Sequence, residues 1–138
     1  MNKKLLISMS LSVLITSAYA ATAATPKEVA TNICKALQKM DFQELKKYAD
    51  EAAVIKINEN EAKKIKMAKH IDMLPESKRA QAKKDYDAQI WRRKSAMSAL
   101  NCQNIYIQDT DNPDHKVALI DNKPTFLKRI KGIWKLTQ

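Results

Sequence analysis

The chain predicts an α+β fold, with N-terminal helices packed on a C-terminal curved antiparallel sheet of about four strands. Three observations carry this prediction. Between Thr25 and Leu100, apolar residues recur at three- and four-residue steps between recognisable helix caps. From Gln103 onward the chain turns to short runs rich in Ile, Val, Tyr, Phe and Trp, which suit a pleated, half-buried surface. The single glycine, Gly132, falls between the last two of those runs, where a tight turn needs positive φ.

Residues 1–20 read as a secretory signal peptide. Lys3 and Lys4 form a positive start, and Leu5 to Ile15 is apolar apart from small serines. Ala18-Tyr19-Ala20 then offers small residues at the two positions a signal peptidase reads, so cleavage is expected before Ala21. A membrane-spanning helix would need about 20 mainly apolar residues, and this run is shorter and interrupted by hydroxyls. Lipidation would need a cysteine directly after the cleavage site, whereas the first cysteine is Cys34. The product is expected to be periplasmic or secreted and soluble, with a disordered leader at 21–24 and one domain over 25–138.

The first helix opens on Thr25 as N-cap, Pro26 at the first helical position and Glu28 three residues after the threonine, a capping box. Val29, Ile33, Leu37 and Met40 line one face, with Cys34 beside it. Asp41 and Glu44 open a second, short helix whose apolar side is Phe42, Leu45, Tyr48 and Ala49. Ala53 to Ile57 is β-branched and alternating, and predicts a short strand. A lysine-rich helix is expected from Glu59 to Met73, with Ala62, Ile65, Met67, Ala68 and Ile71 apolar. Pro75 closes it and opens a helix to Leu100 with a buried stripe of Ala82, Tyr86, Ile90, Met97 and Leu100. Gln103–Asp109, Lys116–Asp121, Thr125–Ile130 and Ile133–Thr137 are the predicted strands, the last two joined by a primed turn at Lys131-Gly132.

Cys34 and Cys102 are the only cysteines. An even count in an exported chain predicts one disulfide, tying the first helix to the start of the sheet. Two free thiols or a metal pair are the alternatives, and no further Cys or His lies at ligand spacing for the latter. Loop closure over this span corresponds to about 4 kcal/mol. The formal net charge is +10, of which the signal peptide takes two lysines. Basic residues spread over the whole chain, which favours anionic partners or a merely solvated lysine-rich surface.

Thr25-Pro26-Lys27-Glu28-Val29-Ala30, Lys35-Ala36-Leu37, Met40-Asp41-Phe42 and Leu45-Lys46-Lys47-Tyr48-Ala49 form a helical hairpin. With the ending Lys131-Gly132-Ile133-Trp134-Lys135-Leu136, it resembles a family of small exported bacterial domains in the nuclear-transport-factor-2-like (cystatin-like) superfamily. The likeness lies at the two ends; Glu59 to Leu100 is longer and more charged than the family's usual pattern. It implies helices over a curved sheet that encloses an apolar cone, and it carries no catalytic residues across. Enzymes of this superfold often pair a carboxylate with a histidine or tyrosine in the cone, and Tyr48, Tyr106 and Asp109 are the residues here that would combine that way.

One glycine excludes a phosphate-cradling loop, a dinucleotide fingerprint and a nucleophile elbow, each of which needs several. Ser77, Ser95 and Ser98 read as helix-surface residues. His70 and His115 have no neighbour at metal-site spacing. Asp109-Thr110-Asp111-Asn112-Pro113-Asp114 matches a calcium loop at two ligand positions, then places proline at the third and lacks the glycine, so it reads as a turn. No metal and no cofactor are expected. Trp91-Arg92-Arg93-Lys94 sets an aromatic in a basic patch, as single-strand nucleic-acid binders do. Export argues against nucleic acid, so Trp91 is expected to pack partly on the sheet. Arg92, Arg93 and Lys94 are then solvated, the candidate contact for an anionic partner.

The leading expectation is a non-enzymatic binding or accessory domain that takes a small apolar ligand in the cone. The rivals are a small hydrolase or isomerase in the same fold and a charge-driven binder of anionic envelope components.

Overall fold

The computed structural model describes residues 24–138. The expected signal peptide, and the leader up to residue 23, lie outside the described residues. Four helices precede four strands: α1 (Pro26–Gln38), α2 (Phe42–Lys47), α3 (Glu51–Asp72), α4 (Glu76–Ser98), β1 (Ile105–Asp109), β2 (His115–Ile120), β3 (Lys123–Ile130) and β4 (Ile133–Leu136). The strands form an antiparallel meander in the order β1-β2-β3-β4. This is the α+β layout that the caps and β-rich runs predict.

The Thr25 capping box forms: the threonine hydroxyl accepts from Glu28 N at 3.2 Å, and the Glu28 carboxylate accepts from Thr25 N at 2.7 Å. The helix ends differently from its apolar periodicity. Met40 sits beyond the last turn at φ 51°, with Met40 N donating to Leu37 O and Asp41 N to Ala36 O, both at 2.9 Å. That paired arrangement satisfies the terminal carbonyls, and here it is made without the usual glycine.

The core lies between α1 and one face of the sheet. Val29, Ala30, Ile33, Cys34 and Ala36 meet Ile105, Ala118, Ile120, Leu127 and Trp134, with Leu45 of α2 closing one side. The register puts these strand residues on one face by period-two alternation. The Cys34–Cys102 disulfide is present, with Cα atoms 5.6 Å apart, and joins α1 to the segment entering β1. The two β-hairpins at Asp121-Asn122 (φ 48° and 59°) and Lys131-Gly132 (φ 51° and 79°) both turn with two positive-φ residues. The second matches the primed turn expected at Gly132; the first uses Asp and Asn, which tolerate that region.

The strand expected at Ala53–Ile57 is helix, part of α3. Tyr48, Ala49 and Asp50 do touch the edge of β4: Leu136 N donates to Tyr48 O at 2.6 Å and Asp50 N to Leu136 O at 2.8 Å. Asp50 then caps α3, its carboxylate accepting from Ala53 N at 2.8 Å. The cap overrides the β-branched propensity of the run. Ala53 is buried and Ile57 half-buried, four residues apart on one helical face, while Ile55 is exposed.

Together α3 and α4 form a long hairpin, each arm roughly 33 Å at helical rise. Its base is held by α2 against α3 and by α1 against α4. There Lys46 pairs with Glu61 at 2.9 Å, and the Gln38 amide donates to Leu100 O at 2.5 Å. At the tip, Arg79 donates through both Nε and Nη2 to Leu74 O, at 3.2 and 3.0 Å, satisfying a carbonyl in the turn between α3 and α4. The buried stripe expected along the last helix is not buried: α4 has no buried residue, and Ala82, Tyr86, Ile90, Met97 and Leu100 are half-exposed. Along most of its length only α3 stands opposite that face, so its apolar positions meet a seam, while Leu100, just past the helix, packs against the edge of the core near α1.

Candidate functional site

Two exposed regions lie outside the core. The first is the uncovered face of the sheet. Tyr106, Leu119 and Pro124 align in one row across the strands, and Val117 and Phe126 in the next, with Tyr106 66% and Phe126 49% exposed. The second is a groove of about 490 Å³ between α3 and α4, which the spacing and patterning of the sequence did not single out. Its floor is Met67, Ile71, Leu74, Tyr86 and Ile90, and its rim carries Lys63, Lys64, His70 and Arg93, with Asp85 among them.

The local sequence explains the groove. Met67 and Ile71 recur at a four-residue step on α3, with Leu74 following in the turn, and Ala82, Tyr86 and Ile90 at four-residue steps on α4, so two apolar stripes face each other. The stripes are narrow and the residues between them are long and charged. Ile71 is buried in the seam, outside the main core, while Met67 stays 51% exposed. The two helices are linked across the groove by the Tyr86 hydroxyl, which donates to Lys64 O at 3.2 Å.

Electrostatics favour negative charge here. Burial lowers the Lys64 pKa from the ordinary lysine value, and the like charge of Arg93 lowers it further, with Glu61 pulling the other way. The Lys64 ammonium lies 4.7 Å from the centroid of the Phe42 ring, which favours its charged form in part. Asp85 accepts from the Gln81 amide at 2.9 Å on its own helix. A pocket with an apolar floor and a few cationic groups at its edge can accommodate an apolar body with an anionic end.

The residues expected to act are partly brought together. Arg93 faces the groove; Arg92 and Lys94 are exposed beside it on α4. Trp91 does not pack on the sheet. It is 68% exposed, because α4 stands beside α3 instead of over the strands. His70 lines the groove near the tip, whereas His115 begins β2 and does not line it.

Tyr48, Tyr106 and Asp109 do not assemble. Tyr106 projects from the uncovered face, whereas Asp109 alternates to the opposite side, is highly exposed and pairs with Lys116. Tyr48 donates to Glu44 at 3.2 Å, and its pKa is raised by burial and by that bond. The region under α1 is occupied by Ile33, Cys34 and Leu127, each under 2% exposed. The Asp109–Asp114 segment is a hairpin loop held by its own bonds: the Thr110 hydroxyl donates to Asn112 O at 2.9 Å and His115 O at 3.0 Å, and Asp114 pairs with Arg129 at 2.7 Å. Among the described residues, no cluster of three or more His, Cys, Asp or Glu has metal-binding geometry, and no helix is long and apolar enough to cross a membrane.

Comparison of the chain with protein-family models, curated proteins and solved structures finds no match in any of the three.

Proposed function

We propose that the protein is an exported, non-enzymatic binding domain of the nuclear-transport-factor-2-like class, whose α3–α4 hairpin engages an anionic component of the cell envelope. The observation that carries this reading is α4 itself: 23 residues with none buried, rich in lysine and arginine, and bearing an exposed Trp91 directly before Arg92, Arg93 and Lys94. A helix this long that contributes nothing to the core has its surface free for another molecule. Export is supported by the pattern of the first twenty residues and by the disulfide, which persists in oxidising compartments. The helical opening and the Gly132 turn before Trp134-Lys135 support the class.

The test is adsorption to vesicles containing phosphatidylglycerol. A basic residue near an anionic surface contributes about 1 kcal/mol, so Arg92→Ala with Lys94→Ala should weaken adsorption about thirtyfold. Binding by the unaltered protein should fall steeply as salt rises. Salt-independent binding, or none, refutes the reading.

A further inference from the structure

We propose that the α3–α4 groove binds one molecule of a free single-chain anionic amphiphile, of the fatty-acid type, with its chain on the apolar floor and its carboxylate at Arg93 and Lys64. This inference rests on the binding role given to the hairpin and narrows it to a ligand.

Four features point the same way. Met67 and Ile71 on α3, Leu74 just beyond its end, and Ala82, Tyr86 and Ile90 on α4 line the groove with apolar side chains, and the lined part of α3, Asn60 to Ile71, is roughly 16 Å long at helical rise. That suits an extended acyl chain better than a compact ring. The volume, about 490 Å³, lies in the range of small-molecule sites. The charge is mostly of one sign: Lys63, Lys64 and Arg93 line the groove with one carboxylate, Asp85, which already has a partner in Gln81, and Glu61, which also acts on Lys64, is paired with Lys46. Lys64 and Arg93 also repel one another in a partly dry setting, and an anion between them would relieve both the repulsion and the lost hydration. Met67, half-exposed in the floor, is a flexible side chain that adapts to a chain of variable shape.

The apolar chain and the anionic end make separate predictions. The probe is laurate carrying carbon-13 at the carboxyl, titrated below its micelle threshold into the full chain and followed by NMR. The expected result is saturable one-to-one binding, with the carboxylate signal shifted and the Tyr86 ring resonances moving in step. Dodecanol, with the same chain and no charge, should bind about tenfold more weakly, as should laurate to Arg93→Ala, in line with the loss of one charge-assisted hydrogen bond. Ile90→Glu should abolish the interaction by placing a carboxylate in the floor. Met67→Glu does the same from the opposite helix at an exposed position, so a folding defect in one variant does not decide the matter.

Laurate binding that survives both glutamate variants overturns the proposal, as does the absence of saturable binding up to about 1 mM, the affinity of a non-specific contact. Vesicle adsorption by the same proteins separates the two readings. Loss of laurate binding with salt-sensitive adsorption intact refutes the groove alone. Loss of adsorption refutes the wider role of the hairpin. Arg92→Ala with Lys94→Ala should weaken adsorption and leave laurate binding unchanged, because neither side chain lines the groove.

Discussion

Helix α1 has a strong apolar face and α4 only a weak one, and they meet opposite fates. In α1, five of thirteen residues are buried against the sheet; in α4, none of twenty-three is. The difference lies in what stands opposite. The sheet offers α1 a broad apolar face of Ile105, Ala118, Ile120 and Leu127, locked in place by the disulfide. The only partner along most of α4 is α3, itself narrow-striped and charged. Stability is therefore concentrated in the α1–sheet half, and the hairpin is free to carry charge and apolar surface that a core would not tolerate.

If this division is right, the largest effects belong to the α1 side. Replacing Cys34 and Cys102 together by serine should cost about 4 kcal/mol by the loop-closure argument. The urea midpoint of the variant, against that of the oxidised protein, measures it; an unchanged midpoint would mean that the two layers hold without their covalent tie. Ile33→Ala should cost about 3 kcal/mol, because Ile33 is fully buried at the centre of the helix–sheet contact. A loss below about 1 kcal/mol would show a site that collapses around the missing atoms, and so a softer core than these contacts imply.

The same division explains which features could be read from the sequence. Thr25 and Glu28, Asp41 and Glu44, and the Lys131-Gly132 turn are local devices, complete within four residues, and they appear where their spacing puts them. The cysteine pair is readable because two thiols in a chain with an export-like leader leave few options. Ala53–Ile57 was misleading because its fate depends on Asp50 and on the β4 edge, which lies more than eighty residues away. The apolar stripe of α4 was visible, but periodicity marks a face without naming what covers it. The groove was illegible for that reason: its floor belongs to two helices whose stripes look, one at a time, like ordinary core positions. Arg93 was singled out by charge alone, without the floor that gives it a role.

In the hairpin, the expected stability effects are small. Trp91→Ala should change unfolding free energy by no more than about 0.5 kcal/mol, since the side chain is 68% exposed and off the sheet. A loss of about 3 kcal/mol, as for a buried tryptophan, would mean that α4 packs in solution against something other than α3. Amide exchange gives a second view of the same contrast. Amides in α4 should open at lower free energy than those in α1, because few buried contacts hold them.

Lys64 gives the finest test, because it marks how dry the hairpin is. Burial lowers its pKa below 10.5, Arg93 lowers it further, and Glu61 opposes both. In the folded protein the proton therefore leaves at a lower pH than in the unfolded chain. Between those two values the unfolded chain binds more protons, so stability should rise with pH across that window and carry a constant deficit below it. Titration of the Lys64 Cε resonance should find a value below that of a free lysine. Arg93→Ala should move it up only part of the way, because burial is the larger cause. A midpoint at or above 10.5 would mean that water reaches the ammonium freely, and that the wall of the groove is as wet as the outside of the helix. Full recovery in Arg93→Ala would assign the shift to charge alone and mean that α3, α4 and Phe42 do not shield that side chain from water.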